Sequence, residues 1–454
     1  MALANSLSGL IAAAKALDVV GNNIANSQTI GFKSSIARFT NVSAAGKSSG
    51  PSDTGSSAGV SADNIFQQFG QGQVELSDKP LDMAINGLGF FRLYNPETNR
   101  VSYTRDGQFG LAFEGDGFAK LVTRTGLCLT GNVPSFGSDP FGTIAATPTP
   151  VPLVIDPFFP PRATAVVNAS LNLDVRVAAP MAPFDAADPL TYNGSASSTV
   201  FDAAGAAHDL RVYFVKPGPA SVWQVYSTLD YNANAVPAQV PTVSGPIDLT
   251  FDLRGAVSPP TPSPVQSYTL PDGSAVAISF DFTGTTQNVD YSSTTQFGTA
   301  FSVNALAQDG YTAGRIQDPN EFNVQADGRI IARYSNGQQR TVAQLVLANF
   351  ANPNALINTG DNQWVANEDP LRGTGAVSLG FPKFSTEKLS GFAGDSDPAE
   401  GMGSIQGRAR EMSNVDLATE LVSLIEQQRN YQASAQTFKI LDQVLQNLAN
   451  MRSN

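Results

Sequence analysis

The sequence predicts a mainly β, multidomain protein with nested domains, whose N- and C-terminal α-helices pair as a coiled coil. Three observations support this fold class. Heptad patterns of apolar residues occur at both ends of the chain, strand-like alternation with Asn-Gly and Asp-Gly pairs fills the stretches between them, and Pro-rich segments divide those stretches into blocks. A chain of 454 residues is expected to form about three domains.

Residues 1–30 are predicted to contain the first helix, over residues 3–24. One helical face carries apolar or small residues at alternating spacings of four and three: Leu3, Leu7, Leu10, Ala14, Leu17, Gly21 and Ile24. Spacing alone favours a simpler alternative, an amphipathic helix lying on its own domain. The segment that follows is rich in Asn and predicts a turn that ends the helix, through Asn22, Asn23, Asn26, Gly31 and Phe32.

Residues 412–454 are predicted to form a second helix, of about 37 residues and roughly 55 Å in length. Asn414 is the predicted N-cap, with Asp416 in the first turn. The polar faces carry Gln and Asn rather than charges, which favours packing against several neighbours. The heptad pattern of the first helix recurs here and predicts that the two helices pair. We call the heptad residues of both helices the predicted seam. Its residues in the second helix are Leu417, Leu421, Leu424, Tyr431, Phe438, Leu441, Leu445 and Leu448.

Between the helices the sequence predicts one linker and two β domains. Residues 31–75 contain a Ser/Gly/Ala-rich stretch and are expected to form a linker or an extended segment. Residues 76–175 and 305–405 share strand-like runs and predict an inner β domain, with hairpin signals at Asp106-Gly107, Asp327-Gly328 and Asn336-Gly337. Residues 176–304 alternate regularly and predict a half-buried antiparallel sheet or barrel, an outer β domain at the tip.

Composition argues against most catalytic chemistry. The chain has one Cys, one His and a net charge of −12, which excludes an internal disulfide and disfavours a multi-imidazole metal site or a nucleic-acid footprint. We predict that His208 is a solvated turn residue and that Cys128 is packed in a strand. We therefore expect no enzyme activity and no catalytic, cofactor or metal site, although a pair of carboxylates that meet in the fold stays open.

Targeting signals are also missing from the sequence pattern. No apolar run is long enough for a membrane-spanning helix, and the first residues lack the charged and apolar regions of a cleaved signal peptide. The expectation is a cytoplasmic protein, or one exported without a cleaved signal.

Both ends of the chain resemble the bacterial flagellar rod and hook (axial) protein family. The resemblance lies in Asn22-Asn23-Ile24-Ala25-Asn26, in Gly31-Phe32-Lys33, in the terminal helix from "SNVDL" onward, and in inner blocks such as "FGQGQVELSDKPLDMAINGLGFFRL". Roughly 200 of the 454 residues carry it. The chain departs from the family pattern at Arg408 and Arg410, which make the approach to the last helix more basic, and residues 176–304 are not matched.

The resemblance implies a structural subunit of the flagellar hook, because the short rod proteins lack a large middle insertion. Such a subunit polymerises with itself into a curved, flexible tube that transmits torque from rod to filament in swimming motility, with the predicted seam as its inner coiled core. The implied partners are the flagellar rod, hook cap and hook-filament junction proteins and the type III export apparatus, without nucleic acid or membrane insertion. The implied location is extracellular, in the hook and basal body. The alternatives are a distal rod or hook-filament junction protein and, more distantly, a β-rich secreted enzyme or adhesin.

Overall fold

The computed structural model describes residues 2–452 except 44–56, 114–116, 137–140, 145–149, 219–220, 232–241, 259–263, 271–274, 285–292, 351, 367–382 and 385–402. The chain divides into two compact units. Unit 1 comprises Met1–Pro157, Ile316–Arg333 and Gln339–Asn454, and unit 2 comprises Phe158–Arg315 and Tyr334–Gln338. Both ends of the sequence therefore belong to unit 1.

Two α-helices lie at the ends of the chain, as the heptad patterns predict. Helix α1 spans Ala2–Ala25 and helix α2 spans Leu417–Arg452. Between them the described residues form strands and three short 3₁₀ turns, Pro189–Thr191, Pro319–Glu321 and Pro353–Ala355. Neither α1 nor α2 has the length and hydropathy that a membrane crossing requires, within the residues searched.

The N-terminal part of unit 1 is a series of short strands. The first two, β1 (Ser35–Ser43) and β2 (Ser57–Gln67), form an antiparallel pair that α1 contacts. The strands that follow are β3 (Val74–Leu76), β4 (Met83–Asn86), β5 (Phe90–Asn95), β6 (Arg100–Thr104), β7 (Phe109–Phe113), β8 (Ala119–Thr123), β9 (Cys128–Asn132), β10 (Pro134–Ser135), β11 (Thr143–Ile144), β12 (Val151–Pro152) and β13 (Val154–Ile155).

Unit 2 is a pair of five-stranded sheets that enclose one apolar core. One sheet has the order β16-β17-β18-β19-β20, and the other has β21-β22-β15-β23 with β24 also paired to β15. The strands of the unit are β14 (Phe158–Phe159), β15 (Val166–Asp174), β16 (Gly194–Phe201), β17 (Ala207–Val215), β18 (Val222–Leu229), β19 (Val243–Phe251), β20 (Val257–Ser258), β21 (Val265–Thr269), β22 (Ala275–Asp281), β23 (Thr295–Phe297), β24 (Ser302–Gln308) and β25 (Gly314–Arg315).

The returning chain completes unit 1 by pairing with its first half. Its strands are β26 (Phe322–Val324), β27 (Arg329–Arg333), β28 (Gln339–Leu345), β29 (Leu347–Asn349), β30 (Ile357–Gly360), β31 (Gln363–Val365), β32 (Lys383–Phe384), β33 (Ser404–Gly407) and β34 (Ala409–Glu411). In the largest sheet β28 pairs with β9, β29 with β5 and β31 with β6, and nearer the helices β33 pairs with β4 and β34 with β3. Strands far apart in sequence thus hold the two halves of the unit together.

Three predictions about this middle region need correction. Residues 31–75, predicted to be a linker or an extended segment, contain the β1–β2 pair, while residues 44–56 of the Ser/Gly/Ala-rich stretch lie outside the described residues. The predicted boundary at 175/176 is wrong, because β15 lies inside a unit 2 sheet and hydrogen-bonds β22, β23 and β24, so the unit begins at Phe158. The Asp106-Gly107 pair does not form a hairpin either.

At Asp106-Gly107, the flanking strands β6 and β7 pair with other strands, and the backbone of Gly107 contacts the backbone of Met83. A Cβ on Gly107 would lie 1.5 Å from the carbonyl oxygen of Met83, and the Met83 N–H donates to the Gly107 carbonyl at 2.9 Å. A glycine is required because two backbones touch there. The other two pairs behave as predicted, since Gly328 lies between β26 and β27 and Gly337 between β27 and β28, both with positive φ.

Candidate self-assembly site

Helices α1 and α2 lie side by side and antiparallel. The Asn23 amide donates to Glu420 Oε1 at 3.0 Å, and a Cβ on Gly9 would lie 4.0 Å from Ser434 Oγ. These two contacts are separated by the same number of residues on each helix, so one register is kept between them. The helices therefore contact each other along a face that includes small and polar residues.

The face that α1 buries within the chain is not the predicted seam. Its buried residues are Ala12, Ala13, Ala16, Val19 and Asn23. At 100° per residue, the centre of this buried face lies about 140° around the helix from the centre of the predicted positions. Small side chains let a helix approach its neighbours closely, and α1 contacts both the β1–β2 pair and α2. Among the predicted residues Leu7 is 42% exposed and Leu10, Leu17 and Ile24 are half-buried, while the side chain of Leu3 lies outside the described residues.

On helix α2, some residues of the predicted seam are half-buried and others are exposed. Leu424, Phe438 and Leu441 are half-buried, whereas Leu417, Leu421 and Tyr431 are exposed. The side chains of Leu445 and Leu448 lie outside the described residues. The predicted seam therefore does not form one continuous contact within a single chain.

An apolar surface remains exposed on the outer sides of both helices. We define this outer stripe by its members: Leu7 and Ile11 on α1, and Leu421, Val422, Ile425, Ile440 and Val444 on α2. Ile11 is 60% exposed and Val422 is 67% exposed. At about 100° per residue, the α2 members lie opposite the face that contacts α1. Of these, only Leu7 and Leu421 belong to the predicted seam. The others also have helical spacing, so spacing alone does not decide between the two sets.

The start of α2 corrects the predicted N-cap. Asp416, not Asn414, caps the helix, because its Oδ1 accepts from the Ala418 N–H at 3.0 Å and its Oδ2 from the Thr419 hydroxyl at 2.8 Å. These hydrogen bonds lower the pKa of Asp416 below its ordinary value. Asn414 instead accepts from the Ser34 N–H at 2.7 Å and donates to the Gln68 carbonyl at 2.7 Å. Asn414 thus ties the segment before α2 to the segments on both sides of the β1–β2 pair.

The turn after α1 is built from side-chain amides, as the Asn-rich sequence predicts. The Asn26 amide donates to the carbonyl and to the side-chain oxygen of Asn22, at 3.0 and 2.9 Å, and Asn26 Oδ1 accepts from Thr29 at 3.1 Å. Asn23 faces inward and is 1% exposed; it donates to the Ser35 carbonyl at 2.8 Å and accepts from the Ser35 N–H at 2.9 Å. Asn23 therefore connects the end of α1 to the start of β1 as well as to α2.

Gly31 lets this turn lie against the body of unit 1. Its φ is +70°, and a Cβ would come within 2.5 Å of the Asp106 backbone nitrogen. Its N–H donates to the Glu411 carbonyl at 2.8 Å, and the neighbouring Phe32 is buried. No other residue type fits both the left-handed conformation and the contact.

Behind the turn lies a buried cluster of three charges, which we call the ion cluster: Lys33, Arg105 and Glu411. Lys33 Nζ lies 2.6 Å from Glu411 Oε1, Arg105 Nη1 lies 3.1 Å from Oε2, and each side chain is at most 1% exposed. Two further hydrogen bonds join the cluster to the backbone: Lys33 donates to the Gly70 carbonyl at 2.7 Å, and Glu411 accepts from the Gly72 N–H at 2.9 Å. Arg105 Nε has no hydrogen-bond partner among the described residues. The cluster joins the exit of α1, the end of β6 and the strand that leads to α2.

The ion cluster contains two cations and one anion. Burial lowers the pKa of Lys33 below its ordinary value of 10.5, and the attraction of Glu411 only partly offsets this. Burial also lowers the pKa of Arg105, again against the attraction of Glu411. Glu411 is therefore the residue on which both cations depend. The sequence does not predict this role, because Glu411 directly follows Arg410 and resembles half of a local charge pair.

His208 and Cys128 have different outcomes. Cys128 is buried in β9, as predicted. The prediction for His208 is wrong, because it lies in β17 with its side chain 13% exposed, Nδ1 2.5 Å from Asp230 Oδ2 and Nε2 3.5 Å from Asp202 Oδ2. Both carboxylates come from turns, which local sequence does not bring together. Burial alone would lower the pKa of His208, but the two carboxylates together raise it.

In the parts of the chain that the structure describes, no group of three or more His, Cys, Asp or Glu side chains could hold a metal ion. The features that stand out are instead structural: two paired helices, an outer apolar stripe and a buried ion cluster at their base.

Comparison with known proteins matches four family models along the chain. They are described as "Flagella basal body rod protein" (residues 3–33), "Flagellar hook protein FlgE/F/G D1 domain" (84–151), "Flagellar basal body protein FlaE D2 domain" (172–311) and "Flagellar basal body rod FlgEFG protein C-terminal" (405–451). The first and last cover the predicted turn and the two helices.

Curated relatives align over the whole chain. The flagellar hook proteins FlgE of Escherichia coli K12 and Salmonella typhimurium LT2 are each 35% identical over 454 residues, covering 100% of both chains. The FlgE of Borreliella burgdorferi is 28% identical and covers 99% of each chain. Among solved structures, Helicobacter pylori FlgE2 covers 73% of this chain and 99% of its own, at 14% identity and a TM-score of 0.48.

Proposed function

The chain belongs to the flagellar hook protein family, and we propose how its surfaces let it assemble there. It is a structural subunit of the flagellar hook and not an enzyme, in agreement with its full-length relatives. Self-polymerisation within the flagellar hook and basal body follows from the same membership. The proposal concerns the surfaces used for this polymerisation.

The main support for this proposal is the exposure of the outer stripe on α1 and α2. Large apolar side chains that are exposed along a whole helix face are characteristic of an interaction surface. Burying such side chains between copies stabilises the contact by about 25 cal/mol per Å² of apolar surface. We infer that α1 and α2 of one chain use this stripe to pack against helices of neighbouring copies.

The pairing of α1 with α2 within one chain supports a coiled-coil inner core. The shared register of the Asn23–Glu420 and Gly9–Ser434 contacts is what a heptad pairing requires. Each helix would then pack on two sides, against the other helix of its own chain and against helices of neighbouring chains. This packing would place the predicted seam and the outer stripe in the same core. The β strands of the two units would then form the layers outside it.

The remaining expectations from the sequence stay part of this proposal. They are a curved, flexible tube that transmits torque from rod to filament, contacts with rod, hook cap and hook-filament junction proteins, and export by the type III apparatus to an extracellular location without a cleaved signal peptide. Membership of the hook protein family supports each of them. Such a tube needs helical symmetry, which a heterologous contact between subunits produces when it does not close into a ring.

The test is Leu421→Asp in the full-length chain. Leu421 is 44% exposed in the monomer, so the substitution does not place a charge in the buried core of the chain. Losing its burial between copies and placing a carboxylate there costs about 2–3 kcal/mol, which raises the critical concentration for polymerisation by about 100-fold. Critical concentration is measured by pelleting, and negative-stain microscopy identifies tubes.

The matched control is Asn430→Asp. Asn430 is exposed on α2 but lies outside the outer stripe, so this variant adds the same charge without changing an apolar contact. Wild-type tubes from the control and none from L421D, with equal thermal stability of the monomers, are the expected results. Tubes from L421D at the wild-type critical concentration would refute the assignment of the stripe.

A further inference from the structure

Unit 1 has a polar groove that the assembly surfaces above do not use. It has a volume of about 380 Å³ and lies where the 3₁₀ turn Pro319–Glu321 and strands β26 and β27 meet the link between β33 and β34. Its charged lining consists of Glu321, Arg333 and Arg408, and Asn320, Asn323 and Gln339 add polar groups. The groove therefore carries two cations against one anion.

Neither guanidinium in the groove has a partner among the described residues. Arg333 and Arg408 are both exposed, and no carboxylate of the described part of the chain lies within 4.0 Å of either side chain, whereas the nearby Arg329 pairs with Asp327 at 2.6 Å. In a chain with 39 acidic and 27 basic residues, an unpaired cation is less expected than an unpaired anion. Two of them in one groove leave a positive site on an acidic protein.

The backbone conformation of Arg408 also sets this groove apart. Its φ is +54°, in the left-handed region. The other described residues with positive φ, glycines aside, are Asn or Asp, which tolerate this region better than Arg does: Asn99, Asp230, Asp361 and Asn362. Its carbonyl accepts from the Ser77 N–H at 2.8 Å, and β34 pairs with β3 immediately after it, so the strained conformation is held on both sides. Strain that is kept in place at an exposed charged residue is a feature of binding sites.

From these observations we propose that the groove binds an acidic surface segment of a second copy of this chain. A guanidinium presents paired N–H donors that match the two oxygens of a carboxylate, which makes Arg the suitable residue for such a contact. A second copy is the occupant because it brings a net charge of −12 to a groove with a surplus positive charge. The inference rests on the proposed function, since it adds a polar contact between subunits to the apolar contact made by the outer stripe.

The test compares self-assembly of the full-length chain with that of Arg408→Asn. Asn tolerates the left-handed conformation and removes the charge, so the monomer should be at least as thermally stable as the wild type. We expect the critical concentration to rise about tenfold at low salt, the size of effect given by one partly desolvated charge pair. Because salt screens such a pair, the difference from wild type should shrink at high salt.

Two further variants make the result specific to the groove. Glu321→Gln removes the competing anion and should lower the critical concentration. Arg254→Ala removes a cation from an exposed turn of unit 2 and should leave it unchanged. An R408N critical concentration equal to that of the wild type, a rise in E321Q, or an equal rise in R254A would each overturn the inference.

The same experiment separates this inference from the proposed function. If the wild type forms tubes and R408N matches it at both salt concentrations, only the groove is wrong. If the wild type itself forms no tubes, the outer-stripe proposal fails and the groove inference fails with it.

Discussion

Replacing Glu411 with Gln should destabilise unit 1 more than any other single change in the ion cluster. Glu411 is the one anion that both Lys33 and Arg105 contact, and none of the three side chains is more than 1% exposed. Gln keeps the shape but removes the charge, and its amide nitrogen then faces groups that are themselves donors. Two buried cations would remain without a counter-charge.

The size of the effect follows from the number of groups that are left unpaired. Removing one partner of a buried ion pair costs about 3–5 kcal/mol, and the presence of two dependent cations places E411Q near the upper end, about 5 kcal/mol. Lys33→Met is the matched control, because it leaves Arg105 and Glu411 as a balanced pair and removes a cation whose pKa burial already lowers. Its cost is the lost hydrogen bonds, about 2 kcal/mol.

Tryptophan fluorescence during urea unfolding can report unit 1 alone. The chain has two Trp residues; Trp364 is buried in unit 1 against Phe69 and Phe90, so a Trp223→Phe background removes the signal from unit 2. A difference of about 3 kcal/mol between K33M and E411Q separates their midpoints by about 1 M urea. If K33M is as destabilising as E411Q, or if E411Q unfolds within about 1 kcal/mol of the wild type, the counter-charge explanation is wrong.

Two further predictions concern single positions. Gly31→Ala should lower the free energy of unfolding of unit 1 by about 1–3 kcal/mol, because φ is +70° and the added Cβ meets backbone atoms. Gly21→Ala is the control and should be neutral or stabilising, because nothing lies within 4 Å of its added Cβ. The same urea assay compares the two variants. The raised pKa of His208 means that its ion pairs stabilise unit 2 below pH 6.5 and that this contribution is lost as pH rises through the folded-state pKa. Urea unfolding followed by Trp223 should therefore show stability falling above pH 6.5 in the wild type but not in His208→Gln, and parallel pH profiles for the two would contradict the assignment.

Several features of this protein were predictable because they are local. Apolar spacing and capping residues predict two terminal helices, and α1 and α2 begin and end within a few residues of the predicted bounds. The alternation of Ile247, Leu249, Phe251 and Leu253 predicts a half-buried strand. The first three are buried in unit 2, whereas Leu253 lies beyond the end of β19 and is exposed. The family resemblance is also local, since its motifs lie in the terminal helices and in short inner blocks.

The predictions that failed depended on partners that are distant in sequence. The Asp106-Gly107 pair has the composition of a hairpin, but β6 pairs with β5 and β31, and β7 pairs with β8. Asn414 has the composition of an N-cap, but its side chain bonds Ser34 and Gln68 instead, and Asp416 caps the helix. In each case the residue type was correctly recognised as polar turn chemistry, and only the tertiary structure decided what it bonds.

The sequence by itself determined that the ends of this chain are helical, that its middle is β-rich and that it belongs with flagellar axial proteins. Only the tertiary structure decided which face of α1 is buried, because both the leucine face and the alanine face have helical spacing and the choice depends on the size of the gap beside β1, β2 and α2. It also decided that Lys33, Arg105 and Glu411 meet, since a charge becomes part of a buried cluster only when the fold removes water from all three at once.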